Sequence, residues 1–303
     1  MRSVAAVIAL VACVHAGLWA LLRDEAQAPD IGNQLASVSY APFAHVADPE
    51  TQKAQAAQIR ADLKAIAPMA RAVRTYSATG GAELVPGIAA DYGLKVSVGA
   101  WLDKNKDRNQ REIRSALDLA HKHSNVNGIY VGNETIFRGE LEPDQLIKII
   151  QRVKRTSPVP VTTGEIWHVW IEHPELVSAV DFIAAHILPY WEGLTAEQTV
   201  DQAIMIYDKL RQAYPGKRVV IAEFGWPSAG YNYKNANPGR IEQAQVLRDF
   251  VARADFYGID YNIIEAIDQP WKTFEGGVGP YWGILDASRQ PKFSWSGPIY
   301  SPE

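Results

Sequence analysis

Eight short runs of apolar and β-branched residues alternate with amphipathic helical stretches, and this alternation constrains the fold of the chain more than any other feature. The runs span residues 37–43, 72–77, 95–102, 128–136, 159–164, 181–188, 218–224 and 261–267. Several are apolar on both faces, as strands are when helices cover a parallel sheet from both sides. Between them, Asn109 with Glu112 reads as a capping box ahead of Ile113, Ala116, Leu117 and Ala120. Pro143 takes a first-turn position before Leu146, Ile149, Ile150 and Val153. Thr195 with Gln198 opens a helix that stops at Pro215-Gly216. Of the 303 residues 47% are hydrophobic, and a single barrel of ~250 residues fits that length. The expected fold is α/β: one (β/α)8 TIM barrel over residues 37–303, with an open doubly wound sheet as the alternative.

Ahead of the barrel, residues 4–22 form an apolar run broken only by His15 and flanked by Arg2 and Arg23. The run is longer than a signal-peptide core and approaches the ~20 residues that cross a bilayer. A retained membrane anchor over residues 1–22 is the first reading. Ala26, Gln27 and Ala28 make an Ala-x-Ala site, which keeps a cleaved signal as the second. Residues 23–36 read as a polar linker. The single cysteine, Cys13, lies in the apolar run, so no disulfide is expected in the barrel. Net charge is −4 with no basic block, which argues against a nucleic-acid partner.

Two of the strand-like runs end on a glutamate inside a distinctive segment. One is Val131-Gly132-Asn133-Glu134; the other begins Ile221-Ala222-Glu223 and continues Phe224-Gly225-Trp226-Pro227-Ser228-Ala229-Gly230. On the strand count, Glu134 closes the fourth strand and Glu223 the seventh. Barrels of this class carry their active sites at the C-terminal ends of the strands, so both carboxylates are expected in one mouth. Cleaving or transferring a glycosidic bond needs two such groups, one protonated to assist the leaving oxygen and one ionised to attack the anomeric carbon. Asn133 stands where its amide can donate to the sugar 2-hydroxyl. Aromatic residues near strand ends, including Tyr40, Tyr190, Trp191, Trp226 and Trp271, offer flat apolar faces to a pyranose ring. A non-catalytic glucan-binding barrel, the rival from another class, would need neither glutamate.

These segments resemble the two signatures of glycoside hydrolase family 17, which contains plant and fungal β-1,3-glucanases and some bacterial β-glucan transferases. The resemblance continues through Lys272 into Trp282-Gly283-Ile284-Leu285-Asp286 and Gln290-Pro291-Lys292-Phe293. It implies a retaining mechanism on β-1,3-glucan, with Glu134 similar to the family's acid/base and Glu223 to its nucleophile. It also implies that Tyr40, Arg74, Asn133 and Tyr190 line the subsite around the cleaved bond, with Gln269 and Lys272 as further substrate-binding candidates. Two positions depart from the pattern. Phe224 stands where the family usually has a small residue, and Gln269 stands near a further glutamate of plant members. The bacterial membrane-tethered branch is the closer match; its members tend to remodel β-1,3-glucan by transfer, and some carry a synthase domain. The resemblance therefore implies a glucanosyltransferase at a bacterial inner membrane with its barrel in the periplasm, or secreted if the segment is cleaved. β-Glucan is the expected substrate and a glucan synthase the suggested partner. Endo-hydrolysis is the alternative activity.

Glu165, after the fifth strand, is expected to support the catalysts or bind substrate. His186 reads as a satisfied core residue or as a support for the catalysts. His121 and His123 diverge on a helix, and His168 and His173 lack a third ligand in reach, so neither a metal nor a cofactor is expected. Residues 276–279 read as a rim loop beside the mouth.

Overall fold

The computed structural model describes residues 28–45 and 52–299. The anchor or signal expectation for residues 4–22 lies outside them. No helix among the described residues is long and apolar enough to cross a membrane.

Eight parallel strands close into one barrel in sequence order, with the first pairing to the last. They are β1 (Val38–Ser39), β2 (Ala72–Arg74), β3 (Lys95–Ala100), β4 (Val126–Asn133), β5 (Val161–Ile166), β6 (Ile183–His186), β7 (Val219–Phe224) and β8 (Asp260–Ile263). Outside lie α1 (Ala56–Ile66), α2 (Val85–Ala90), α3 (Lys106–Lys122), α4 (Pro143–Lys154), α5 (Trp167–Glu172), α6 (Pro174–Ala179), α7 (Pro189–Glu192), α8 (Ala196–Ala213) and α9 (Arg240–Tyr257). The barrel reading stands and the open sheet is excluded.

Helix starts follow the expected chemistry at two sites and not at a third. Pro143 is the first residue of α4, where Glu142 and Gln145 complete a capping box, and Thr195 with Gln198 caps α8. The Asn109–Glu112 capping box is corrected. Asn105 caps α3 by accepting from the Arg108 amide, four residues earlier than expected. Glu112 is buried within that helix and accepts from Ser77 Oγ, the Ala78 amide, Thr79 Oγ1 and the Trp101 amide. It fastens the loops that leave β2 and β3, so the polar signal was genuine but belonged to the barrel rim.

Strand alternation builds two apolar layers. Ile129, Val131, Ile183, Ala185 and Ile221 join the main core, while Tyr130, Phe182, Ala184, Val220 and Ala222 form a smaller cluster of their own. Continued strictly, the alternation would turn Glu223 outward with Ile221. Register shifts between Ile221 and Phe224, Ala185 and His186, and Tyr130 and Asn133 interrupt it. Bulges of this kind re-aim side chains next to active sites. Phe224 consequently leaves the mouth and stacks on Phe250 of α9, with centroids 3.7 Å apart.

Two buried cations secure the periphery. Arg248 of α9 donates to Ala28 O, Pro29 O, Asp30 Oδ1 and Gly297 O at 2.7–2.8 Å, holding both ends of the described chain on one side chain. Lys292 donates to Asp268 Oδ1 and Ser228 Oγ, each at 2.7 Å, tying the C-terminal segment to the loops after β7 and β8. Burial pushes the Asp268 carboxyl up and the Lys292 ammonium down, so each needs the other to stay charged. Lys292→Met should therefore cost about 3–5 kcal/mol in urea unfolding, because it strands a buried carboxylate. Adding Asp268→Asn should recover part of that loss; a double variant no more stable than Lys292→Met would contradict the charge-stranding explanation.

Candidate active site

The mouth is organised by Arg74, the last residue of β2, which is almost fully buried. Its guanidinium lies over the rings of Tyr130 and Tyr76, 4.5 and 5.1 Å from the centroids. Nη1 donates to Glu223 Oε1 at 2.9 Å and to Ala222 O at 3.0 Å. Nη2 donates to Asn133 Oδ1 at 2.6 Å and lies 3.3 Å from His186 Nε2. One guanidinium thus gathers groups from β4, β6 and β7. A Cβ at Gly164 of β5 would come 2.6 Å from His186 Nε2 and 2.7 Å from Arg74 Nη2, so only glycine leaves room for this pair.

Glu134 follows β4 directly and takes a φ of 51°, a left-handed conformation costly for a side chain with a Cβ and found most often at functional sites. Several bonds enforce it. The Glu134 amide donates to Gly164 O at 2.7 Å, and the Arg138 amide donates to Glu134 O at 2.8 Å. Glu165 accepts from the Ile136 amide at 2.8 Å, and Arg138 Nε returns to Asn133 O at 3.1 Å. Gly132, also at positive φ, has Thr135 against the place a Cβ would fill. The Val-Gly-Asn-Glu motif thus reads as a strand end that must turn sharply.

The Glu134 side chain remains 21% exposed, and its Oε1 lies 2.7 Å from His186 Nδ1, at hydrogen-bond distance. One oxygen each of Glu134 and Glu223, with one His186 nitrogen, lie within 4.8 Å of one another. Burial disfavours charge on Glu134. Its hydrogen-bond and charge interactions with His186, and the nearby Arg74 and Arg138 charges, outweigh it and hold the carboxyl below its ordinary range. Glu165 behaves oppositely: burial pushes it up to about 7 despite two backbone donors, and the Glu134 charge adds to the rise. Glu265 is likewise raised by burial to about 7, against the pull of Lys272 at 3.1 Å. The Glu134–His186–Glu223 trio has the compactness of a metal site. Arg74 already places a cation on Glu223 and beside His186 Nε2, so these residues do not suit a metal ion.

The other expected residues fall into distinct places. Trp191 is 38% exposed and stacks on Trp282 at 6.0 Å, at the mouth beside the 276–279 loop. Tyr190 is buried edge-on to Trp191, Trp226 and Trp282, with its hydroxyl on Tyr231 O, so it braces that wall. Gln269 donates to Ala41 O and Ile267 O and accepts from Trp271 Nε1, fixing the half-buried Trp271 ring. Lys272 holds both oxygens of Glu265. Two expectations are corrected. Trp226 is fully enclosed with its N–H on Asn237 O, leaving no face open to a sugar. Tyr40 gives its hydroxyl to the buried Asp62 at 2.7 Å. His186 carries more of the site than the sequence implied, because it lies between Glu134 and the Arg74 guanidinium that holds Glu223.

The BtgE/BtgC glycoside hydrolase domain matches residues 37–283. This chain belongs to that family. Over 267 residues it is 27% identical to a glucan 1,3-beta-glucosidase of Arthroderma benhamiae, covering 81% of this chain and 86% of that protein. It is 29% identical over 229 residues to the probable glucan endo-1,3-beta-glucosidase btgC of Aspergillus flavus, covering 66% of this chain. There it spans only 33% of the relative's length. The crystal structure of a glycoside hydrolase family 17 beta-1,3-glucanosyltransferase from Rhizomucor miehei superimposes with a TM-score of 0.75 at 26% identity, covering 85% of this chain and 95% of that one. The family 17 resemblance drawn from the two glutamate motifs is borne out.

Proposed function

We propose that this glycoside hydrolase acts on β-1,3-glucan with retention and passes the glycosyl unit to a second sugar, working as a glucanosyltransferase. The observation that carries the reading is the pair of carboxylates at the barrel mouth, with oxygens within 4.8 Å. Retaining enzymes hold the two groups ~5–5.5 Å apart, whereas inverting ones leave ~6.5–9.5 Å for a water. On this reading Glu223 attacks the anomeric carbon while Glu134 protonates the departing oxygen. Glu134 then takes the proton of the incoming hydroxyl, which forms its bond to that carbon as the Glu223 ester breaks. The Rhizomucor glucanosyltransferase, an active-site mutant of which was solved with laminaritriose, supports both substrate and transfer. The names of the btgC relatives favour endo-hydrolysis as the second reading.

Mass spectrometry of products from a β-1,3-gluco-oligosaccharide of defined length separates the two. Products longer than the input support transfer, and exclusively shorter products make the protein a hydrolase. A membrane tether through residues 4–22 and a periplasmic barrel remain part of the proposal; recovery of the full chain in the soluble fraction without detergent would oppose them.

Transfer depends on holding an acceptor sugar against competing water. The leaving or incoming sugar lies on the side of Glu134, which handles its oxygen. Phe137, three residues later, is 56% exposed and meets His168 edge-on at 6.1 Å, with Trp167 beyond. Phe137→Ala should lower the transfer-to-hydrolysis ratio roughly fivefold, since one aromatic contact is worth ~1 kcal/mol. An unchanged product ratio would place the acceptor elsewhere.

A further inference from the structure

The hydrogens of Arg74 decide the state of His186. The two Nη nitrogens carry four hydrogens. One goes to Glu223 Oε1, one to Ala222 O and one to Asn133 Oδ1. The fourth points at His186 Nε2, 3.3 Å away. A nitrogen that accepts from a guanidinium carries no proton of its own. The imidazole proton is then on Nδ1, from where it donates to Glu134 Oε1 at 2.7 Å. Glu223 Oε1 lies farther from Nε2, at 3.5 Å, and already receives Arg74 Nη1. The ring is fully buried, and beside Gly164 there is no space next to Nε2 even for a Cβ.

From this arrangement we infer that His186 is a positioning residue for Glu134: a neutral imidazole that fixes Oε1 through its Nδ1–H, leaves Oε2 for the reacting proton, and favours the carboxylate form. The inference rests on the acid/base reading of Glu134. Its consequence is a division of labour between the two halves of the reaction. A carboxylate at Glu134 is the form that removes the acceptor's proton, so His186 promotes the second half. In the first half Glu134 must carry the proton, which it can hold on Oε2 without releasing His186. The imidazole exchanges no proton at any stage; the proton taken from the acceptor stays on Glu134 and serves the next cleavage. The charged or titratable groups facing His186 are Arg74 from β2, Glu134 after β4, Glu165 from β5 and Glu223 from β7.

Two conservative variants separate the imidazole's two hydrogen bonds. Gln in His186→Gln can accept from Arg74 at the Nε2 position but has no donor at the Nδ1 position. Asn in His186→Asn places an amide donor near Nδ1. The basic limb of the pH profile of kcat/KM reports the group that must be protonated in the free enzyme. With Glu134 in that role, activity falls as pH rises through its pKa. Removing the donor raises that pKa, so the limb in His186→Gln should move up by about one unit. It should stay near the wild-type position in His186→Asn. An unmoved limb in His186→Gln, or equal shifts in both variants, overturns the inference. Should neither variant fold, 15N NMR of histidine-labelled wild-type protein decides: a proton on Nδ1 alone is the expected state, and one on Nε2 overturns it. Glu134→Gln separates this inference from the reading beneath it. If that variant keeps full activity, the acid/base assignment falls. If it is inactive while His186→Gln leaves the limb unmoved, only the role of His186 falls.

Discussion

Glu223→Gln should abolish turnover while leaving oligosaccharide binding largely intact. The amide cannot attack an anomeric carbon, so no glycosyl-enzyme forms and the rate should drop by roughly 10^4-fold or more, as when the nucleophile of a covalent mechanism is removed. Folding should survive, because the Gln carbonyl oxygen can still accept from Arg74 Nη1, now 2.9 Å from Glu223 Oε1. Mass spectrometry of protein quenched during turnover checks the point directly. Wild type should gain the mass of a glycosyl unit and the variant none. Turnover within tenfold of wild type would mean that Glu223 merely neutralises Arg74, the bland role open to any buried glutamate beside an arginine.

Arg74→Lys should be the most damaging change outside the two glutamates, although it keeps the charge. A lysine has one nitrogen, which cannot reach partners on β4, β6 and β7 together. Its ammonium also lacks the planar fork that lies between the Tyr130 and Tyr76 rings. Loss of one preorganised donor typically costs ~10^2–10^3 in kcat, and a fall of that size is expected here. Stability should fall by ~1–3 kcal/mol for each buried partner left unsatisfied. Steady-state kinetics and urea unfolding on the same variant test both. A variant within threefold of wild-type kcat would show that the guanidinium network does not organise the nucleophile.

Strand positions were legible because buried parallel strands announce themselves as short apolar runs, and all eight overlap the expected segments, although β4, β5 and β8 each run slightly past one bound. The glutamates were legible because Gly132 and the Phe224-Gly225-Trp226-Pro227 stretch mark abrupt strand ends. His186 was undervalued for a physical reason. Its partners lie 52 and 112 residues away in sequence, and strand register brings them together. Trp226 and Tyr40 show the opposite limit. Each stands near a strand end, as a sugar platform would, yet Asn237 O and Asp62 take their polar atoms into the wall. An aromatic residue near the mouth does not disclose from sequence which way its ring turns. The α3 cap failed because Asn105 and Asn109 are equally plausible helix starters, and only the loop bonds of Glu112 choose between them.

The Arg248 clamp makes the backbone behave almost as a ring. Gly297 N donates to Asp30 Oδ1 and Ile31 N to Trp295 O, each at 2.8 Å, so the first and last described segments are already neighbours. Tension applied through either segment would meet a guanidinium on α9 before it reached a strand of the barrel. A load applied at that seam falls first on Arg248 and its partners.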